Sequence, residues 1–210
     1  MVGCDRFRVT QLHPPLQPPA GEAWLHELKL DGYRLQLIKD RRGLRVFTRR
    51  GSEWTERLTA FADAFVSLAC RSAVLDGELV LPDKIGAPDF RGLHHAMASA
   101  RRHHELVFFA FDLLHQDGLD LRPLPLVERQ RRLARLISRS EIPCLHLVEA
   151  FDEGVKPSRL PDEARGHRLE APELALSLEC TRLSAVRPLL VNARNAGRQA
   201  PPVHAQWHSH

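Results

Sequence analysis

Alternating apolar and polar residues predict β-strands in the first part of the chain. Side chains alternate in this way from Trp24 to Ile38, as in strands with one buried face. The continuous apolar run Leu106–Phe111 instead predicts a strand that is buried on both faces. The other segments with strand character are Leu44–Thr48, which follows a turn at Lys39–Gly43, Ala73–Leu81, and Cys144–Val148, the final strand.

Three segments between these strands are predicted to be helical: Glu56–Ala69, Asp89–His104 and Pro125–Ser138. In the first and third segments, apolar residues recur three and four positions apart, so that they share one face. These residues are Leu58, Phe61, Ala62, Phe65 and Leu68 in the first helix, and Leu126, Leu133, Leu136 and Ile137 in the third. Mixed strands and helices favour an α/β or α+β fold, and we predict α+β, with mostly antiparallel sheets and flanking helices.

Composition divides the chain into three parts. Residues 1–21 contain HPPLQPPAG, a proline-rich lead-in without a core pattern. Residues 22–156 carry the predicted elements. Residues 157–210 contain no Phe, Tyr, Ile, Met or Lys, although the earlier part uses all of them. We therefore expect an irregular, disordered tail over 157–210.

The charge balance allows a nucleic-acid partner without establishing one. Hydrophobic residues make up 43% and charged residues 27% of the chain, as in ordinary globular proteins. The formal net charge is +4 and the isoelectric point is about 9.2, which mildly favours a polyanion. A basic protein from an arginine-rich proteome would have the same balance.

The cysteines and paired histidines lack the spacing of a metal site. No two of the four cysteines have CxxC spacing, which argues against a zinc site or a disulfide framework. Adjacent histidines on a helix point in different directions, so His94-His95 and His103-His104 are predicted to be solvated. The sequence also lacks a membrane-spanning apolar run and a signal-peptide core, so we expect a cytoplasmic protein.

Lys29 is a candidate nucleophile. The chain has 26 arginines but only four lysines, and Lys29 is followed by Leu30-Asp31-Gly32. A neutral amine is a good nucleophile, whereas a guanidinium stays protonated. The alternative is an exposed strand residue beside an Asp-Gly hairpin turn, and KLDG alone favours that alternative.

Three further segments follow Lys29 in an informative order. Thr48-Arg49-Arg50-Gly51 could be a basic turn, and Leu75–Leu79 could carry a carboxylate for a ribose or Mg²⁺, or be another Asp-Gly turn. Phe108–Leu114 could stack an aromatic ring on a base, or be an ordinary core strand.

Together, HELKLDGYR, TRRG, LDGEL and FFAFDLL resemble the nucleotidyltransferase motifs of ATP-dependent DNA ligases, in particular the adenylation domain of bacterial multifunctional end-joining ligases. The resemblance covers roughly Glu22 to Val155 and continues through LRPLPLVERQRRL and VEAFDEG.

The resemblance implies a role for each matching residue. Lys29 would attack the α-phosphorus of ATP, keep AMP through a P–N bond, and pass it to a DNA 5′-phosphate so that a nick can be sealed. Mg²⁺ would neutralise the phosphates, and the fold would be the ATP-grasp-like fold of ligase adenylation domains. The residues implied to bind ATP are Glu27 and Leu28 beside adenine, Arg34 and Arg49 on ribose or phosphate oxygens, Glu78 on ribose or metal, and Phe111 stacked on adenine.

The implied partners and the alternatives follow from the same motifs. The partner would be nicked or broken double-stranded DNA, and other end-joining repair domains or proteins would act alongside it. RNA ligases and capping guanylyltransferases share the KxDG core, so they remain an alternative. A non-catalytic remnant that binds nucleotide or DNA weakly is another.

The resemblance breaks near Lys156. The family requires a motif EG, three residues, then K, and a later KxK, but Glu153–Lys156 is too short for the first and no lysine follows it. Codons for Pro161–Ser177 can be chosen so that the frame one nucleotide later reads RMKLEGIVSKRLSSPYR, which contains EGIVSK. We hypothesise a frameshift in the gene, or in its reported sequence, near Lys156 to Ser158; the alternative is a genuine divergent tail. Loss of these motifs would remove sheet strands and catalytic groups, so we expect poor solubility and little or no nick sealing.

The nucleotide sequence tests the frameshift. We expect the codons of residues 161–177 to encode EGIVSK in the frame one nucleotide later. Asp162 is the most restrictive position, because its shifted codon can encode only Met or Thr. Codons that cannot yield EGIVSK in that frame would contradict the hypothesis.

Overall fold

Two β-sheets organise the part of the chain that this computed structural model describes, namely residues 24–28, 30–84, 86–148, 150–151 and 191–195. The larger sheet has six strands in the order β3-β2-β4-β5-β6, and β7 also pairs with β5. In chain order its strands are β2 (Tyr33–Asp40), β3 (Gly43–Thr48), β4 (Ala73–Val80), β5 (Val107–Gln116), β6 (Leu119–Asp120) and β7 (Leu145–Leu147). All of its pairings are antiparallel except that of β5 with β7, so the predicted mostly antiparallel sheet is confirmed.

The smaller sheet is built around β1 (Trp24–Leu28). Strand β1 lies between β8 (Ala150–Phe151) and β9 (Val191–Asn195), and both pairings are antiparallel. The expectation of an irregular tail did not include β9, which is the part of 157–210 that the structure describes. The lead-in 1–21 and the predicted break near Lys156 lie outside the described residues.

The three Asp-Gly pairs have three different structures. Asp117-Gly118 is a hairpin turn between β5 and β6, with φ of 49° and 93°, as a two-residue hairpin requires. Asp76-Gly77 lies within β4, so the turn reading of LDGEL is wrong. Asp31-Gly32 connects β1 to β2, which belong to different sheets, so the hairpin reading of KLDG is wrong as well.

The first predicted helix has the expected buried face but not the expected continuity. Helix α1 covers Thr59–Ala64 and is flanked by 3₁₀ turns at Glu56–Leu58 and Phe65–Ser67. Leu58 leaves helical geometry at φ −123° and ψ 32°, and the Thr59 hydroxyl donates to the Glu56 carbonyl. Such a local bond competes with a regular helix. All five predicted inward residues are nevertheless buried.

The second predicted helix also divides. Helix α2 covers Phe90–Met97, and a separate 3₁₀ helix covers Ala100–Glu105 because Ser99 is extended. Asp89 caps the N-terminus of α2, because its carboxylate accepts a hydrogen bond from the Gly92 N–H at 2.8 Å. His103 is 4% exposed, so its predicted solvation is wrong, whereas His94, His95 and His104 are exposed.

The third predicted helix is confirmed. Helix α3 covers Leu126–Ser138 and starts directly after Pro125. Leu126, Leu133 and Leu136 are buried, and the partly buried Ile137 packs against the main core. The large sheet packs one face against all three helices, through residues that include Leu35, Leu75, Phe108, Phe61, Leu93 and Leu133.

A buried ion pair joins α3 to β5. The Arg129 guanidinium donates from Nε and Nη2 to the two carboxylate oxygens of Asp112, at 2.8 and 2.9 Å. Both residues are 4% exposed. Arg129 Nη1 also donates to the Leu124 carbonyl at 2.6 Å, which ties down the loop before α3. Loss of one partner from such a pair leaves a buried charge uncompensated.

Substitution of Arg129 is therefore expected to destabilise the fold strongly. Arg129→Met should lower the free energy of unfolding by about 3 kcal/mol or more, measured by urea denaturation. Arg132→Met on the same helix is the matched control, because Arg132 pairs with Glu128 at 3.3 Å on a half-exposed surface. Arg132→Met should lower the free energy of unfolding by less than about 0.5 kcal/mol. Equal effects of the two substitutions would contradict a structural role for the Arg129–Asp112 pair.

Candidate functional site

The face of the large sheet that points away from the helices carries a polar strip. Because side chains alternate along a strand, Val74, Asp76, Glu78 and Val80 of β4 share this face. Val74 and Val80 belong to two small apolar clusters, and the two carboxylates lie between them. Arg34 on β2 pairs in register with Glu78, so it reaches the same strip.

Arg34 is held by Asp76. Its Nε donates to Asp76 Oδ1 at 3.0 Å, and its Nη2 donates to Oδ2 at 2.8 Å. The Asp76 side chain is 6% exposed and that of Arg34 is 29% exposed, so the carboxylate is buried while the guanidinium keeps contact with the surface. The bidentate geometry orients the guanidinium plane.

Phe111 lies next to this pair. The Arg34 Cζ atom is 5.0 Å from the centroid of the Phe111 ring, which is within cation–π distance. Phe111 is half-buried and packs with Leu30 against the cluster that contains Val80 and Phe109. An aromatic ring, a guanidinium and carboxylates therefore meet on one sheet face.

Gly32 allows the chain after Lys29 to approach β4. A Cβ atom at Gly32 would lie 2.2 Å from the Leu79 carbonyl oxygen and 3.1 Å from Glu78 Cγ. A larger residue would push the segment away from the polar strip. Glycine is thus required here by a close backbone approach.

Glu27 joins the site from the smaller sheet. It is 2% exposed, and its Oε1 accepts a hydrogen bond from Gln130 Nε2 on α3 at 2.5 Å. Gln130 Nε2 is also 3.5 Å from the Phe111 carbonyl oxygen. Gln130 lies in the segment LRPLPLVERQRRL of the resemblance, but the sequence predicts no role for it, since nothing in a single helix indicates which distant strand it meets.

The structure brings together most of the predicted site residues. Arg34, Glu78 and Phe111 share the sheet face, and the exposed Arg49 adjoins them because its backbone N–H donates to the Arg34 carbonyl at 3.2 Å. Glu27 is connected through Gln130. Lys29 and the side chain of Leu28 lie outside the described residues. The roles of these residues toward ATP remain predictions.

The acidic residues of the strip suit a metal that is shared with a ligand. Across the described ranges, no three His, Cys, Asp or Glu residues are grouped so as to hold a metal ion by themselves. Mg²⁺ commonly binds one or two carboxylates together with substrate phosphates, so the single half-buried Glu78 fits that mode. Asp76 is the carboxylate that orients Arg34.

The two cysteines that the structure describes are free thiols. Burial raises the pKa of the Cys70 thiol to about 11, with a further contribution from the charge of Asp117. Burial also raises the pKa of Cys144. Both thiols therefore stay protonated at neutral pH and are poor nucleophiles. Within the described segments, no helix is long and apolar enough to cross a membrane.

A family model described as the ATP dependent DNA ligase domain matches residues 8–153. The match begins within the proline-rich lead-in and ends three residues before Lys156.

Two related bacterial proteins are longer than this chain. The multifunctional non-homologous end joining protein LigD of Pseudomonas aeruginosa is 44% identical over 128 residues, which cover 60% of this chain and 15% of that protein. The SPbeta prophage-derived DNA ligase-like protein LigB of Bacillus subtilis is 33% identical over 125 residues, which cover 60% of this chain and 45% of that protein. The chain thus spans less than half the length of either relative.

Two solved ligase structures share the fold. Mycobacterial DNA ligase D, complexed with ATP and MES, has a TM-score of 0.62 and 25% identity, and the match covers 86% of this chain and 50% of that one. The ligase domain of Mycobacterium tuberculosis LigD has a TM-score of 0.58, 25% identity, and coverage of 86% and 51%. The predicted antiparallel sheets with flanking helices are therefore those of a ligase domain.

The Arg34–Asp76 contact is expected to stabilise the polar strip. Arg34→Met should lower the free energy of unfolding by about 1–3 kcal/mol, because it leaves a buried carboxylate without its bidentate donor. Arg45→Met is the matched control. Arg45 donates to Asp40 at the same 2.8 Å and lies 5.7 Å from the Phe47 ring, but the Asp40 side chain is 22% exposed.

Arg45→Met should lower the free energy of unfolding by between about 0 and 1 kcal/mol. Thermal and urea denaturation of the two variants measure the difference. An Arg34→Met variant as stable as Arg45→Met would show that Asp76 does not depend on Arg34.

Proposed function

The chain belongs to the ATP-dependent DNA ligase domain family, and from this premise we propose that it is the adenylation domain of a ligase of the bacterial end-joining type. Lys29 is the proposed nucleophile. Its neutral amine attacks the α-phosphorus of ATP, a P–N bond forms as the bond to the β-phosphate oxygen breaks, and pyrophosphate leaves. AMP then passes to a DNA 5′-phosphate, and a 3′-hydroxyl displaces it as the nick is sealed.

The observation that carries this proposal is the arrangement of Arg34, Asp76, Glu78 and Phe111 on one sheet face. Arg34 is oriented by a buried carboxylate, so its guanidinium can hold ribose or phosphate oxygens without reorganising. The adjacent Arg49 supplies a second positive charge.

The remaining residues bind the sugar and the base. Glu78 binds the ribose or a Mg²⁺ ion, Phe111 stacks on adenine, and Glu27 and Leu28 border the base. Gly32 keeps the segment after Lys29 close to Glu78. When bound, Mg²⁺ supplies neutralisation of the phosphate charge.

The proposed partner is nicked or broken double-stranded DNA in the cytoplasm, in repair and recombination. One relative is named for non-homologous end joining, and solved ligases share the fold. Because the chain spans only part of these proteins, other end-joining domains or proteins are proposed to act with it.

Sealing by this chain alone is proposed to be impaired. Catalysis in the family uses the motifs EG-xxx-K and KxK, and the chain has no lysine after Lys156. The family match ends at residue 153, which supports a break in the ligase sequence close to Lys156–Ser158. A non-catalytic remnant that binds nucleotide or DNA weakly is therefore the second candidate function. A nick-sealing assay with robust turnover would overturn the proposed impairment.

Incubation with ATP or GTP that is radiolabelled at the α-phosphate tests the first step, the transfer of the nucleotide to Lys29. We expect label from ATP, stable on a denaturing gel, to appear on the unaltered chain and to be lost in Lys29→Ala. Lys84→Ala is the control, because Lys84 is an exposed lysine outside the strip. Label from GTP would indicate a capping-type guanylyltransferase, and absence of label from both nucleotides would support the remnant.

A further inference from the structure

Gln130 connects the two sheets at the proposed adenine site. Its side-chain Nε2 donates to Glu27 Oε1 at 2.5 Å and lies 3.5 Å from the Phe111 carbonyl oxygen. Glu27 belongs to β1, Phe111 to β5, and Gln130 to α3. One amide group on a helix thus contacts the strands of the two residues proposed to bind adenine.

The position of Gln130 is determined by its neighbour. Arg129 donates hydrogen bonds from two nitrogens to the carboxylate of Asp112, the residue after Phe111. Its third nitrogen donates to the Leu124 carbonyl. Because Arg129 and Asp112 are both buried, this contact fixes the start of α3 against β5. Gln130 is consequently held beside the Phe111 backbone, with its amide directed at Glu27.

The hydrogen bond restricts the Glu27 carboxylate. The terminal torsion of a glutamate side chain is broad, so a free carboxylate turns easily. A donor at 2.5 Å from Oε1 restricts this torsion, because the charge-assisted hydrogen bond favours the orientations that keep Oε1 near Gln130. The burial of Glu27 strengthens this restriction, because water is excluded from competing.

The orientation of Glu27 has a consequence for purine choice. An ionised carboxylate can only accept hydrogen bonds. Adenine presents a 6-amino donor, whereas guanine presents a 6-oxo acceptor at the same position. A carboxylate held at the 6-position accepts from the adenine amino group, whereas it would face the 6-oxo oxygen of guanine, acceptor against acceptor. A site that is built for one hydrogen-bonding pattern rejects the other far better than one that relies on shape.

We propose that Gln130 is a positioning residue for purine discrimination, which holds the Glu27 carboxylate toward the 6-position of the base. This inference rests on the proposed function, in which Glu27 borders adenine. Gln130 itself does not touch the nucleotide.

Equilibrium dialysis of the full chain against labelled ATP and GTP tests the proposal. Gln130→Met keeps the length of the side chain and the helix propensity but removes the donor. It should lower the ATP-to-GTP affinity ratio about tenfold, the effect of losing one charge-assisted hydrogen bond. Gln116→Met is the matched control, since it makes the same change at the far end of β5, and it should leave the ratio unchanged.

A second variant keeps the test decisive if Gln130→Met does not fold. Gln130→Glu has the same shape and places a carboxylate against Glu27, so it should lower the ratio at least as much. The thermal unfolding transition of each variant identifies those that fold. The ratio is the informative quantity, because general loosening of α3 would weaken the binding of both nucleotides equally.

The possible outcomes separate this inference from the proposed function. An unaltered chain that prefers ATP, with folded Gln130 variants that keep the same ratio, would overturn the role of Gln130 and leave the proposed function standing. Equal weakening for ATP and GTP would also overturn it, since that is the behaviour of a merely structural residue. Failure of the unaltered chain to bind either nucleotide would overturn both.

Discussion

The buried pair of Arg129 and Asp112 is the constraint on which the described site depends. Two charges that are both 4% exposed are costly unless each satisfies the other, so the pair disfavours any docking of α3 on β5 that separates them. That docking places Gln130 beside Phe111 and Glu27. The smaller sheet, which carries the segment before Lys29, is therefore tied to the larger sheet through a helix.

The large sheet separates packing from chemistry by its two faces. Leu75, Gly77 and Leu79 of β4 face the helices, and Asp76 and Glu78 face the other way. The apolar face supplies the burial that holds the strands. The opposite face can then carry an arginine and two carboxylates, because two small apolar clusters flank them and Arg34 satisfies the more buried acid.

Close backbone approaches complete the arrangement. A Cβ atom at Gly77 would lie 2.5 Å from both the Phe108 ring and the Phe109 carbonyl oxygen, so β4 and β5 can pair at this distance only around a glycine. Gly32 has the same function between the segment after Lys29 and β4. The glycines of the two LDG motifs, Gly32 and Gly77, therefore allow close contact between backbone segments. Of the three Asp-Gly pairs, Asp117-Gly118 forms the hairpin turn.

The sequence by itself determined the longer strands of the large sheet, the buried helix faces and the family, because alternation and helical spacing reflect burial directly and the motifs follow one another in a characteristic order. It missed the short strands β6 and β8 as well as β9, and Cys144–Val148 is not the final strand. It overestimated the continuity of the first two helices. The spacing of apolar residues does not indicate a local hydrogen bond, such as that from the Thr59 hydroxyl to the Glu56 carbonyl, or an extended residue such as Ser99. Only the tertiary structure decided which Asp-Gly pair is a turn, that Asp76 serves Arg34, and that Gln130 meets Glu27. Those contacts join residues as far apart as 103 positions, and their geometry depends on how the sheets and α3 pack.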